Sequence, residues 1–412
     1  MSSVKVLTLT MVIIIGGAAA LLAENEGRIY GKVYTEDGDV LEGLIRWDRN
    51  EASWVDILDG TKEIPEDYGR EARTERGRYR EKQKKVELFG LEIYSEGGDY
   101  YSKSALSGLR FGHIKMLKVV DDNTALLRLK SGQEVELSGG STDLGSNIRE
   151  IIIEDRREGE WELLWDDIDS IVFMEAKPDL RSNFGNRLYG TLVTRRGDSF
   201  TGWVCWDVDE VFTLDILDGE EDGRSRKIKF DKIRSIERYS SSGATVTLTS
   251  GDELVLKGTN DVDDDNRGIL ISDPSFGQVT VDWDEFERID FKQPSRQVTY
   301  NDIPVSRELY GTVYRESGDK VRGKIRWDND EEYTWELLDG KYRDLDFDVE
   351  FGLVDKIEKR RRGSIVTTKD GRELRLEDSN DVDDDNKGIF VTTDDGDRVV
   401  IDWDEFDRVD FK

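Results

Sequence analysis

Histidine and cysteine each occur once in 412 residues, as His113 and Cys205. A single thiol cannot form an intramolecular disulfide, so stability is expected to come from side-chain burial alone. A zinc centre built of histidines and cysteines is excluded, and so is a Cys–His nucleophile pair. Basic residues are in deficit: 60 Lys and Arg against 91 Asp and Glu give a formal net charge of -31. Binding a nucleic-acid backbone needs charge of the opposite sign, which removes that partner class. Such acidity suits cations, basic partners or a saline habitat, and it also keeps a secreted chain soluble. Only five prolines occur. Phosphate-binding Gly-Lys-Ser/Thr loops, dinucleotide fingerprints and nucleophile elbows are all missing.

Long apolar runs are missing too, except at the N-terminus. Lys5 precedes a stretch, 6–22, that is apolar apart from Thr and Gly, and Ala23 precedes Glu24. This reads as a signal peptide over 1–23, cleaved after Ala23. The competing reading is an uncleaved anchor, but the stretch is short for a membrane span. Without a cysteine after it, a lipoprotein anchor is excluded. A periplasmic or secreted location is the expectation, with no membrane span after cleavage.

What the chain does contain, it contains three times. Leu188-Tyr189-Gly190-Thr191 returns as Leu309-Tyr310-Gly311-Thr312 and, more weakly, as Ile29-Tyr30-Gly31-Lys32. Trp-Asp follows at Trp47-Asp48, Trp206-Asp207 and Trp327-Asp328, then Leu-Asp-Gly at Leu58, Leu217 and Leu338. A second Trp-Asp, at Trp165, Trp283 and Trp403, closes each copy. Internal periodicity of this kind decides the architecture. The expected division is repeat one over 24–176, repeat two over 187–292 and repeat three over 307–412. Repeats two and three are equal in length. Repeat one is longer by a charged insertion at about 61–106, whose basic run at 76–85 reads as an exposed loop or a docking segment.

Alternating runs fill every copy, as in Val321-Arg322-Gly323-Lys324-Ile325-Arg326-Trp327, with turn signals such as Ser317-Gly318-Asp319 between them. The chain is therefore expected to be all-β. Each copy reads as two halves of about five short strands, with a tight turn before the last strand. That layout resembles the SH3-like and Sm-like small barrels, which implies fold and not function. β-sandwich repeats are the alternative. Alternation places Trp47, Trp206 and Trp327, and Trp165, Trp283 and Trp403, in the core. Trp54 falls on the opposite face from Val55 and Ile57 and is the candidate exposed aromatic. Trp203 and Cys205 on an outward face predict burial against a neighbouring copy, with Cys205 a packing residue and not a reactive thiol.

The sharpest local signal is Asn260-Asp261-Val262-Asp263-Asp264-Asp265-Asn266, repeated as Asn380-Asp381-Val382-Asp383-Asp384-Asp385-Asn386. Carboxylates at alternate positions are the ligand spacing of Asp-rich calcium loops, of which the EF-hand is one. Asp261, Asp263 and Asp265, and Asp381, Asp383 and Asp385, are therefore the candidate calcium ligands, with a structural role. Ser272 or Thr392 stands where an EF-hand places a bidentate Glu, so the similarity is one of spacing only. Copy one keeps a single carboxylate there, Asp143, and is expected not to bind. The bland alternative is an acidic loop capping its own turn.

Catalytic residues are expected to be absent. The expectation is a non-catalytic binding or scaffold module of the cell envelope, its partner a protein or an envelope component. The alternative is a carbohydrate-active hydrolase using an Asp/Glu pair, with Asp284-Glu285 and Asp404-Glu405 as nominal candidates.

Overall fold

The computed structural model describes residues 25–63, 104–139, 143–177, 180–328 and 330–412, with the backbone of 86–88 and 91–93. The expected leader and the basic run 76–85 lie outside the described residues. What is described is all-β, with three large antiparallel sheets and one two-stranded ribbon. Among the described residues no helix is long and apolar enough to cross a membrane.

In the middle copy the order across the sheet begins Arg224–Lys229, Ile216–Glu221, Glu253–Lys257, Gly243–Leu248, Ile233–Ser240. It continues Phe286–Phe291, Tyr189–Thr194, Ser199–Cys205, Ile269–Asp273, Gly277–Val281. Copy one follows the same order in its own ten-stranded sheet, from Ser104–Arg110 at one edge to Gly159–Leu163 at the other. Eight strands of copy three do likewise. Its remaining hairpin, Leu337–Tyr342 with Leu345–Glu350, is hydrogen-bonded to the edge strand of copy two, in register from Gly277↔Val349 to Val281↔Leu345.

None of these sheets closes into a barrel, which departs from the closed halves expected above. The reason lies in pairing that alternation cannot reveal. The first two strands of each copy pair with its last three, while strands three to seven form a consecutive block. The two tryptophans assigned to separate half-cores consequently meet edge-to-face, with ring centroids 6.5 Å apart for Trp47–Trp165, 6.3 Å for Trp206–Trp283 and 6.2 Å for Trp327–Trp403. Edge-to-face contact at this range is the favoured arrangement of two ring quadrupoles.

A glycine in the second strand of each copy permits the crossing to the eighth. A Cβ on Gly43, Gly202 or Gly323 would stand 2.0, 2.3 or 2.1 Å from the carbonyl oxygen of Glu154, Ser272 or Thr392. No side chain fits there, which explains why the same glycine recurs.

The copies are joined by buried charge and shared apolar surface. Each carries an acid that caps the turn after its Trp-Asp hairpin, and each acid pairs with a cation from another copy. Asp56 accepts the amides of Ala52 and Ser53 and binds Arg187 of copy two at 2.8 Å. Asp215 accepts those of Val211 and Phe212 and binds Arg46 of copy one at 3.0 Å. Glu336 accepts those of Glu332 and Tyr333 and binds Lys62 of copy one at 2.5 Å. Between copies one and two the contact is reciprocal: Arg28 lies 4.1 Å over the Phe212 ring while Arg187 reaches Ser53, the residue in the corresponding bridge.

Trp203 is buried in the core cluster of copy one, and Cys205 is buried with Ala52, Val211, Phe212 and Leu270 at the junction, as the outward apolar face predicted. Burial pushes the Cys205 thiol well up, the opposite of an activated nucleophile. Trp54 reverses its expectation. It sits in a turn instead of a strand and is fully buried, 4.7 Å from the ring of Tyr300 in the linker before copy three and 6.3 Å from Phe173.

Candidate functional site

The Trp-Asp hairpin is closed by reciprocal backbone bonds between its Trp and the Glu four residues on, as in Trp206 N to Glu210 O at 2.8 Å and Glu210 N to Trp206 O at 2.9 Å. To turn so tightly the chain goes left-handed at Asp207 (φ 52°) and Val208 (φ 54°), and Asp48 (φ 41°) and Asp328 (φ 46°) do the same. Asp accepts that conformation readily, whereas Val does not, so Val208 marks a turn held by its surroundings. The turn drives the Asp carboxylate inward: Asp48, Asp207 and Asp328 are completely buried.

The Asp-rich loop comes down on this hairpin. Asn260–Val262 form a single 3-10 turn, after which the backbone extends at Asp263. The Trp206 indole donates to the Asp261 carbonyl at 2.9 Å, and the Asp261 carboxylate accepts the Asp218 amide at 2.6 Å. Asp207 in turn accepts the Arg267 amide at 2.6 Å, the Arg267 guanidinium at 2.7 Å, and the Asn260 amide group. Copy three builds the same joint. Trp327 donates to the Asp381 carbonyl at 2.8 Å, Asp381 accepts the Asp339 amide at 2.8 Å, and Asp328 accepts from Lys387 and Asn380. So does copy one, where Trp47 donates to the Asp143 carbonyl at 2.9 Å, Asp143 accepts the Asp59 amide at 2.9 Å, and Asp48 accepts the Arg149 amide at 2.6 Å.

The predicted loop ligands separate accordingly. Asp261 and Asp381 turn inward beneath the tryptophan. Asp263 and Asp383 accept the amides of Asp265 and Asp385, at 3.1 and 3.0 Å, within their own loops. Asp265 and Asp385 are exposed. An even curl would have aimed all three inward, but the extended residue after the 3-10 turn interrupts it.

Among the described residues, Asp207, Glu210 and Asp261 form a cluster able to hold a metal, with carboxylate oxygens within 4.8 Å of one another. Glu210 was not among the sequence candidates. Its signal was available in the recurrence of Trp-Asp-x-x-Glu at 47–51, 206–210 and 327–331. Burial, reinforced by neighbouring carboxylates, pushes Glu210 up to about 10 and Glu51 and Glu331 well above the usual carboxylate range. For Asp261, burial raises the carboxyl to about 6 although the Asp218 amide pulls it down.

The nominal hydrolase pairs lie on surface turns. Asp284 is 79% exposed and paired with Arg238, and Glu285 pairs with Arg196. Asp404 and Glu405 are exposed on the corresponding turn of copy three. No family model, no curated protein and no solved structure matches the chain.

Proposed function

We propose that the protein is a non-catalytic scaffold of the cell envelope, exported to the periplasm or beyond, built of three tandem repeats over 24–176, 187–292 and 307–412. The observation that carries this reading is where the apolar and charged anchors go. Trp203, Cys205, Arg187 and Lys62 are all spent on joining one copy to another. A body consolidated in this way presents a rigid acidic exterior, suited to basic protein partners or to cation-bridged envelope components. Calcium in the Asp-rich loops of copies two and three, with Asp261 and Asp381 as the inward ligands, would neutralise part of that charge and stiffen the joint between loop and hairpin.

The test is co-sedimentation of the purified leaderless chain with isolated envelope fractions across a salt series, with release of reducing sugars followed in the same tubes. Binding that weakens with salt and proceeds without hydrolysis is expected. Sugar release abolished by Asp284→Ala/Glu285→Ala would overturn the reading in favour of a hydrolase.

A further inference from the structure

Copy three docks on copy two by strand addition: Leu345–Glu350 extends the sheet past Gly277–Val281, from Gly277↔Val349 to Val281↔Leu345. Copy one has the same edge in Gly159–Leu163, which pairs with Ile151–Asp155 as Gly277–Val281 pairs with Ile269–Asp273. Copy two has the same added strand in Arg224–Lys229, the outer half of a hairpin that matches the one ending in Leu345–Glu350. Among the described residues both are the outermost strands of their sheets. Copies one and two are held together elsewhere, through Arg187, Arg46 and Arg28, so these two edges do not meet within the chain. We propose that they meet between chains: Gly159–Leu163 of one molecule takes Arg224–Lys229 of a second copy as its next strand, giving head-to-tail self-association. The inference goes beyond the scaffold reading and needs neither calcium nor export.

The internal joint supplies the register. Transferred position by position, it sets Glu160 opposite Lys227, Trp161 opposite Arg226 and Glu162 opposite Ser225. On one face Glu160 meets Lys227 directly and Lys229 on the diagonal, while Glu162 lies diagonal to Lys227. On the other face the Trp161 ring receives the Arg226 guanidinium, a cation–π arrangement. Where the internal joint holds the Phe276 and Phe347 rings 6.0 Å apart, the new one brings Glu158 to Arg226, an ion pair in place of an apolar plug. Clearance is kept as well. A Cβ on Gly277 would stand 1.9 Å from the Asp348 carbonyl oxygen of the added strand, and its counterpart Gly159 has nothing within 4 Å of that position.

Charge selects the partner. Arg224–Lys229 carries four basic residues, all exposed, in a chain of net charge -31, and Glu160 and Glu162 are exposed too. Arg226 and Lys227 touch Glu221 and Asp218 of their own hairpin, in solvent-facing pairs that are readily exchanged. Charge on a sheet edge ordinarily prevents pairing, and here it does so selectively. Two basic edges repel each other, as do two acidic ones, which disfavours a two-fold dimer through either. Copy three's outer strand, Arg398–Ile401, would set Arg398 against Lys227. The unlike edges match, and because they lie at different places on the molecule the contact is heterologous and can propagate. One flanking turn opposes it: where the internal joint pairs Asp198 with Arg343 at 3.4 Å, Asp39 would face Asp222, so the strands themselves must carry the contact.

The test is sedimentation velocity of the leaderless chain over a concentration series at about 0.15 M salt, where a Debye length of about 8 Å screens distant charge more than facing strands. Reversible assembly beyond one chain, growing with concentration, is expected. Glu160→Lys/Glu162→Lys and Lys227→Glu/Lys229→Glu should each stay single chains. All four changes in one chain exchange the two charges and should restore assembly, which a merely misfolded variant could not do. Every changed side chain is exposed, so the variants are expected to fold, as circular dichroism would verify. A wild-type chain that stays single at every concentration would overturn the proposal, and so would charge-reversed variants that assemble as the wild type does. Loss of assembly in both variants without recovery in the combination would overturn it too.

Discussion

Replacing Arg187 with methionine tests how much of the stability lies between the copies. The Arg187 guanidinium reaches both oxygens of Asp56, at 2.8 and 2.9 Å, and the carbonyls of Val204 and Val211, at 2.8 and 3.0 Å. Asp56 is 4% exposed, and its remaining bonds come from two backbone amides of its own turn. Methionine keeps the length of the side chain but strands the carboxylate in a dry site and removes two donors from buried carbonyls. Breaking one side of a buried, hydrogen-bonded pair costs about 3–5 kcal/mol. With a urea slope of about 3 kcal/mol/M, the midpoint of the transition containing copy two should fall by about 1–1.7 M. Copy three supplies the control, since Glu308 occupies the place of Arg187 there and pairs with Lys324 on the surface, both about half exposed. Lys324→Met should cost no more than about 1 kcal/mol. If Arg187→Met shifts the midpoint no more than Lys324→Met, the buried pair contributes nothing and the account of how the copies are joined is wrong.

Calcium at about 10 mM, with dissociation constants of about 0.1–1 mM typical of extracellular modules, should add about 1.4–2.7 kcal/mol per site, read as a higher unfolding midpoint against EDTA at fixed ionic strength. A Cβ at Gly202 has no room beside the Ser272 carbonyl, so Gly202→Ala should cost at least about 2–3 kcal/mol in urea unfolding. Gly197→Ala, in an open turn with φ of 88°, should cost only about 1 kcal/mol. Glu350 tests acid stability. Burial alone would raise its carboxyl, but Arg110 at 3.3 Å and His113 at 3.3 Å outweigh burial and hold it below its ordinary 4.5. Its contribution is therefore complete above pH 4.5 and lost as pH falls through the lower folded value. Glu350→Gln should flatten that acid limb of the stability curve, and an unchanged limb would remove Glu350 from the account.

The strands and the burial of the six paired tryptophans were legible because a residue's face in a strand follows from its neighbours in sequence. Partners were not legible in that way. Nothing local in Ser199–Cys205 says that it lies beside Ile269–Asp273, and so the halves were drawn where the chain runs consecutively and not where the sheet does. Trp54 was misread for a related reason: a turn has no period of two, and Tyr300, which covers it, lies far along the chain. In the loops, spacing put forward three Asp in each but could not see that Asp261 and Asp381 turn inward while Asp263 and Asp383 bond within their own loops. Glu210 of the Trp-Asp-x-x-Glu hairpin was visible as part of a recurrence, and only the fold brings it to the loop.

The most direct test of the central claim is the calcium content of the folded chain, counted by native mass spectrometry after chelation and reloading. Calcium retained by the wild-type chain and lost in Asp261→Asn/Asp381→Asn is the predicted result. A chain that stays ion-free while folded would contradict it.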